Sequence, residues 1–175
     1  MSPYQIKTDD LSSIKVQNLL KLHMQGMMEN SPADNVFALD LSGLQQPNIT
    51  VWTAWRDDEL AGIGALKQLD NQPNDNQPKG NQSSGSQAGD GQPSGEIKSM
   101  RTAPDFLRQG VALALLDHII NYARSRNFKR LSLETGSGPS FDPALTLYRK
   151  RGFTNGEAFG NYEKSEFNQF MHLTL

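Results

Sequence analysis

Cysteine is absent from the 175-residue chain, which excludes disulfides, thiolate metal ligands and a cysteine nucleophile. Chemistry must therefore rest on oxygen and nitrogen groups. Histidine occurs three times, and neither His118 nor His172 has a partner at metal-ligand spacing, so no metal site is expected. No window approaches the roughly 18 apolar residues of a membrane span, and Met1-Ser2-Pro3-Tyr4-Gln5-Ile6 lacks a basic stretch followed by an apolar core. A soluble, cytoplasmic protein with no membrane partner is the expectation. Net charge is −2 and the pI about 5.9, so nothing draws the chain electrostatically toward nucleic acid.

Apolar residues are also sparse, at 36%. The shortfall is local, because residues 70–95 hold a single apolar side chain, Ala88. Gln recurs there at positions 72, 77, 82, 87 and 92, within degenerate pentapeptides that begin Asn71-Gln72-Pro73-Asn74-Asp75. Units of Gly, Ser, Asn, Pro and Asp cannot cover a core and are shorter than any repeat that stacks. The expectation is a disordered loop over 70–95, joining two strands of one domain that spans residues 1–175. Such an insertion is tolerated, since closure entropy grows by only about 0.6 kcal/mol per doubling of loop length. The remainder has ordinary globular composition and is long enough to bury a core.

What is present is most informative between Glu96 and Phe153. A strand over Glu96–Thr102 ends at Ala103-Pro104, where proline removes an amide donor. A turn, Asp105-Phe106-Leu107-Arg108-Gln109-Gly110, leads into a helix with apolar residues at Leu115, Leu116, Ile119, Ile120 and Ala123, the spacing of one buried face. Gly110 stands where loop becomes helix. The first amides of a helix have no internal partner and lie at the positive end of its dipole, so an anion can approach them there. A second strand follows at Arg130–Thr135. Then comes a short helix around Pro143 that stops at Gly152.

Upstream, Tyr4–Thr8 reads as a strand, and Asp9, Asp10, Ser12 and Ser13 offer caps for a helix running to about Met28 with Val16, Leu20, Met24 and Met27 buried. His23 falls on that stripe and reads as structural. A short helical or looped piece covers Asp34–Leu44. Ile49–Trp55 and Leu60–Leu69 read as a hairpin, and Asn168–Leu175 as a closing strand.

Taken together, Gly110-Val111-Ala112, Ala144-Leu145-Thr146-Leu147-Tyr148 and Gly152-Phe153 resemble the GNAT acetyltransferase superfamily. Phe37-Ala38-Leu39-Asp40-Leu41 and Glu134-Thr135-Gly136-Ser137 are similar to its bacterial YsnE-like branch. The resemblance covers nearly all of the chain outside the repeat tract. It implies an α/β (α+β) fold with a mixed, mostly antiparallel sheet of six to seven strands and about four helices. The sheet would splay between the Glu96 and Leu131 strands to admit acetyl-coenzyme A.

The implied activity is N-acetylation of a small-molecule amine, or an amino-acid-like acceptor, in a ternary complex. A coenzyme A-binding module without turnover is the alternative, and monomer and homodimer both stay open. Met100, Arg101 and Thr102 would meet the pantetheine and thioester through their backbone, and the amides of Arg108, Gln109, Gly110, Val111, Ala112 and Leu113 would take the pyrophosphate. Leu107 and Phe141, which the resemblance also places among the cofactor-binding positions, stand where the superfamily usually has polar residues, which leaves those amides unaffected. Arg151, with Arg149 and Lys150, is placed to reach the ribose phosphate or to form a solvated basic helix end.

Glu96 is the implied general base, on one strand face with Lys98 and Met100 by alternation, or else a solvated strand end. Glu134 is a second carboxylate, for base or substrate-ammonium duty, or a loop anchor. Tyr148 is the implied proton donor to the coenzyme thiolate, with packing on Phe153 as the competing role. Asp40 is a candidate for the acceptor pocket or a helix cap.

Overall fold

A computed structural model describes residues 3–69 and 93–175; the repeat tract expected over 70–95 lies outside the described residues up to position 92. The chain runs β1 (Gln5–Thr8), α1 (Ile14–Asn30), a 3-10 turn (Ala33–Asn35), α2 (Leu41–Leu44), β2 (Ile49–Arg56), β3 (Glu59–Leu69) and β4 (Ser94–Thr102). It continues through a second 3-10 turn (Pro104–Phe106), α3 (Val111–Ser125), β5 (Arg130–Thr135), α4 (Asp142–Lys150), β6 (Thr154–Asn155) and β7 (Gln169–Thr174). The strands form one sheet in the order β1-β2-β3-β4-β5-β7-β6. Every pairing is antiparallel except β4 with β5.

The two faces of the sheet follow from strand alternation. Trp52 and Leu66 face α3, whose Val111, Leu115, Leu116, Ile119, Ile120 and Ala123 form the buried stripe read from the sequence. Trp52 meets the rings of His118 and Tyr122 edge-on. Leu131, Leu133 and Met171 extend this layer beneath Leu145, Tyr148 and Phe153 of the α4 region. On the opposite face Val51, Ile63 and Ala65 pack with Val16, Leu19 and Leu20 of α1. Burying each large aliphatic side chain contributes about 1.5–3 kcal/mol, so the two layers hold the sheet from both sides.

Two readings of β4 change. The strand begins at Ser94, so Ser94 and Gly95 belong to the sheet rather than to the repeat loop. More consequential is a bulge. Ala65 pairs with Lys98 and Ile63 with Arg101, so Gly64 faces both Ser99 and Met100, and Ser99 has φ 54°. The extra residue reverses the alternation beyond Lys98. Met100 therefore does not share the face of Glu96: its sulfur lies over Gly64, against Ile119 and Leu115 on the α3 side. Arg101 takes its place beside Glu96 and Lys98.

The β4–β5 pairing has three rungs: Ser94 with Arg130, Gly95 with Leu131 and Glu96 with Ser132. Beyond Glu96 the strands run on unpaired with one another. The sheet is thus open next to the bulge.

Candidate active site

The turn before α3 is built to expose amides. The 3-10 turn buries Phe106, which packs edge-on against Tyr4 and stacks beneath the Arg56 guanidinium. Gln109 is braced three ways, since its carbonyl accepts from Tyr4, its side chain accepts from Arg56 Nη1 and its amide donates to the Asp105 carbonyl. With the base fixed, Arg108 at φ 60° and Gly110 at φ 85° swing the chain through left-handed conformations. Among the described residues the N–H groups of Arg108, Gly110, Val111, Ala112 and Leu113 have no hydrogen-bond acceptor. A Cβ at Gly110 would find no atom within 4 Å. The result is a concave set of donors at a helix N-terminus, open to solvent. Leu107, 58% exposed, stands at its rim.

A charged cluster occupies the other end of the opening. Glu96 sits on the last β4–β5 rung, 3% exposed, and its Oε1 accepts from Lys98 Nζ at 2.9 Å and from the Tyr162 hydroxyl. Lys98 also donates to the Tyr162 oxygen at 2.8 Å. Glu134, on the same face of β5, feels both charges. Its carboxyl is pushed up from 4.5 to about 7, first by burial, with the Glu96 charge adding and Lys98 opposing. The Tyr162 phenol is held protonated by burial and by the two carboxylates. Phe37, Phe159 and Phe170 surround its ring at 5.0, 5.2 and 5.9 Å. One buried and one half-buried carboxyl group and an aromatic wall therefore meet at one mouth.

The other sequence candidates are placed as follows. Tyr148 is buried in α4, edge-on to Phe153 at 5.6 Å, and burial raises its phenol well above the ordinary value. Phe141 caps α4 from a buried site against Phe167. Arg151 is engaged with α3, donating from Nε and Nη2 to Asp117 at 2.6 and 3.0 Å, which ties the two helices together. Asp40 lies outside the carboxylate cluster: it caps α2, accepting from the Gly43 amide and Ser42, and borders a groove along α1 with Leu20, Met24 and Met28. His23 is buried, as its place on the helix stripe implied. Among the described residues no group of three His, Asp or Glu is arranged to hold a metal ion.

Sequence reasoning missed three participants. Lys98 was legible as a neighbour of Glu96 by alternation, yet carried no assigned role. Tyr162 sits in a segment without periodicity. Arg101 was expected to act through its backbone alone, because the bulge that turns its side chain to this face falls at Ser99 and Met100, with no glycine or proline there to mark it.

The sequence over residues 16–153 matches the model of the acetyltransferase (GNAT) family. The chain belongs to the GNAT family. It is accordingly an acyltransferase, and its relatives agree. It is 43% identical over 170 residues to the uncharacterized N-acetyltransferase YsnE of Bacillus subtilis (strain 168), covering 97% of this chain and 99% of YsnE. It is 41% identical over 172 residues to the uncharacterized N-acetyltransferase YedL of Escherichia coli (strain K12), covering 98% and 95%. In fold it is similar to a Bacillus subtilis acetyltransferase crystallised with coenzyme A, with a TM-score of 0.64 at 19% identity over 98% of this chain and 99% of that one. No helix among the described residues of this GNAT protein is long and apolar enough to cross a membrane.

Proposed function

We propose that this GNAT protein transfers an acetyl group from acetyl-coenzyme A to the amine of a small-molecule or amino-acid-like acceptor, by direct attack in a ternary complex in the cytoplasm. The observation that carries this reading is the three-rung β4–β5 pairing that ends at Glu96, with free amides at one end of the gap and paired carboxylates at the other. The turn fits a pyrophosphate, because the N–H groups of Arg108 and Gly110–Leu113 lack acceptors at the start of α3 and the space beside Gly110 is clear of protein atoms to 4 Å. When bound, acetyl-coenzyme A supplies an acyl group on a thioester, already activated toward amines.

The chain's own residues provide position and protons. An acceptor ammonium entering the mouth meets Glu96 and Glu134. Glu134, poised at about 7, is the better proton acceptor at neutral pH, whereas Glu96 is occupied by Lys98 and Tyr162 and holds them in place. Burial keeps the Tyr148 hydroxyl protonated throughout the physiological range, so a proton is present at Oη for a departing thiolate. Holding both substrates in one cleft supplies much of the rate.

The test is release of free thiol from acetyl-coenzyme A across a panel of amines. Release with at least one amine, abolished by Glu134→Gln, supports the reading. Tight coenzyme A binding with no release from any amine would make this a binding module instead.

A further inference from the structure

The bulge at Ser99 and Met100 sets a third charged side chain on the acceptor face of β4, and this one has no counter-ion. Arg101 pairs with Ile63, two residues along β3 from Ala65, the partner of Lys98, so its Cα stands about 7 Å along the sheet from that of Lys98. Its guanidinium reaches α1. A Cβ on Gly26 would come within 3.2 Å of Nη1 and 3.8 Å of Cζ, so the absence of a side chain there is what admits the group. Nε is buried without a hydrogen-bond partner, and among the described residues the side chain makes no hydrogen bond or ion pair. Two further buried oxygens lack partners, Ser99 Oγ on the bulge and Ser31 Oγ just past α1.

Arg101 as a whole is half-buried, but its Nε is buried, and buried donors are almost always satisfied. Nothing nearby meets that need. His23, one turn before Gly26, is pushed down to about 4 by burial and then by the Arg101 charge, so at neutral pH it is uncharged. Lys98 is already matched by Glu96. A single positive charge beside a neutral imidazole suits a monoanion better than a doubly charged phosphate, and a planar guanidinium suits the two oxygens of a carboxylate.

We propose that Arg101 recognises a carboxylate on the acceptor, making the substrate class amines that also carry a carboxylate, amino acids among them. This rests on the acetyl-transfer reading for the amine end. Glu96 pairs with Lys67 and Arg101 with Ile63, so Arg101 shares the face of β4 that carries Glu96, with their Cα atoms about 13 Å apart along the strand. The carboxylate is thus read from the same face of the sheet as the amine.

The test compares free amino acids with their C-terminal amides as acceptors, by thiol release. The parent should prefer the free carboxylate by roughly 10- to 100-fold in kcat/KM, chiefly through KM, and Arg101→Gln should abolish the preference while Arg101→Lys keeps part of it. A parent indifferent to the carboxylate, or an Arg101→Gln variant that keeps the preference, overturns the proposal. Thermal melting gives a readout apart from turnover. N-acetylglycine should raise the parent's melting temperature and leave that of Arg101→Gln unmoved, whereas no shift in the parent counts against the site. If no amine yields thiol but the N-acetylglycine shift depends on Arg101, acetyl transfer fails and the anion site stands.

Discussion

The Tyr162 hydroxyl donates to the same oxygen of Glu96 that the Lys98 ammonium grips, fastening the segment before β7 to strand β4 across 66 positions of sequence. Tyr162→Phe removes that hydroxyl and leaves the ring contacts to Phe37, Phe159 and Phe170. A hydrogen bond to a charged group contributes about 1.5–3 kcal/mol, and in a chain of this size each kcal/mol moves the melting temperature by about 2–4 °C. The variant should therefore melt several degrees lower, and lose activity as Glu96 and Lys98 gain freedom. An unchanged melting temperature would mean that the segment is anchored elsewhere.

Glu134 gives a pH dependence whose sign is fixed. Its folded pKa, about 7, lies above the ordinary 4.5, so the fold favours the protonated carboxyl. That contribution is complete below about 4.5 and is lost as pH rises through about 7. Glu134→Gln imitates the protonated state, so in denaturant titrations it should match the parent near pH 4.5 and exceed it at pH 8. Activity should run the other way. Thiol release by the parent should climb through pH 7 as the carboxylate forms, and the Gln variant should lack that limb and run about 10²- to 10⁴-fold slower. A shared limb in both enzymes would assign the titration to another group.

The α3 stripe from Leu115 to Ala123 was legible because its apolar residues repeat at the helical spacing. The β2–β3 hairpin was legible instead as two apolar runs, buried through Val51–Ala54 and Ala61–Leu66, on either side of Arg56-Asp57-Asp58-Glu59. The bulge was not, because Ser99 adopts a positive φ without a glycine to announce it, and from that point every face assignment on β4 reverses. Met100 was thus given the face that Arg101 occupies. Tyr162 escaped for a different reason: its partners Phe37 on one side and Lys98 and Glu96 of β4 on the other are brought to it by two separate segments, and no local pattern encodes such a meeting. The pairing of Arg151 with Asp117 is of the same kind, a tie between helices 34 positions apart.

Tyr148 can be separated from its packing role. Phenylalanine preserves the ring that meets Phe153 and removes only the hydroxyl, whose proton burial retains. Tyr148→Phe should melt within about 1 kcal/mol of the parent yet lose roughly 10²- to 10⁴-fold in kcat with KM little changed, the signature of a group used only as bonds break. Full activity in the variant would return Tyr148 to the core.

Gly110 distinguishes backbone strain from ligand exclusion. At φ 85° an alanine costs about 1–2 kcal/mol, and since its Cβ meets no protein atom within 4 Å the cost is conformational alone. Gly152, at φ 89° after α4, is a control with the same strain, its added methyl touching only the Leu173 side chain at 3.3 Å. The two alanine variants should therefore melt at similar temperatures below the parent. Calorimetry with coenzyme A should separate them, because the Gly110 methyl projects into the space from which a pyrophosphate must approach the amides of Val111–Leu113. Gly110→Ala should weaken coenzyme A binding by an order of magnitude or more, about 1.4 kcal/mol, while Gly152→Ala binds as the parent does. Equal affinities in the two variants would remove the turn from the cofactor site, since the strain is common to both and only the position of the methyl differs.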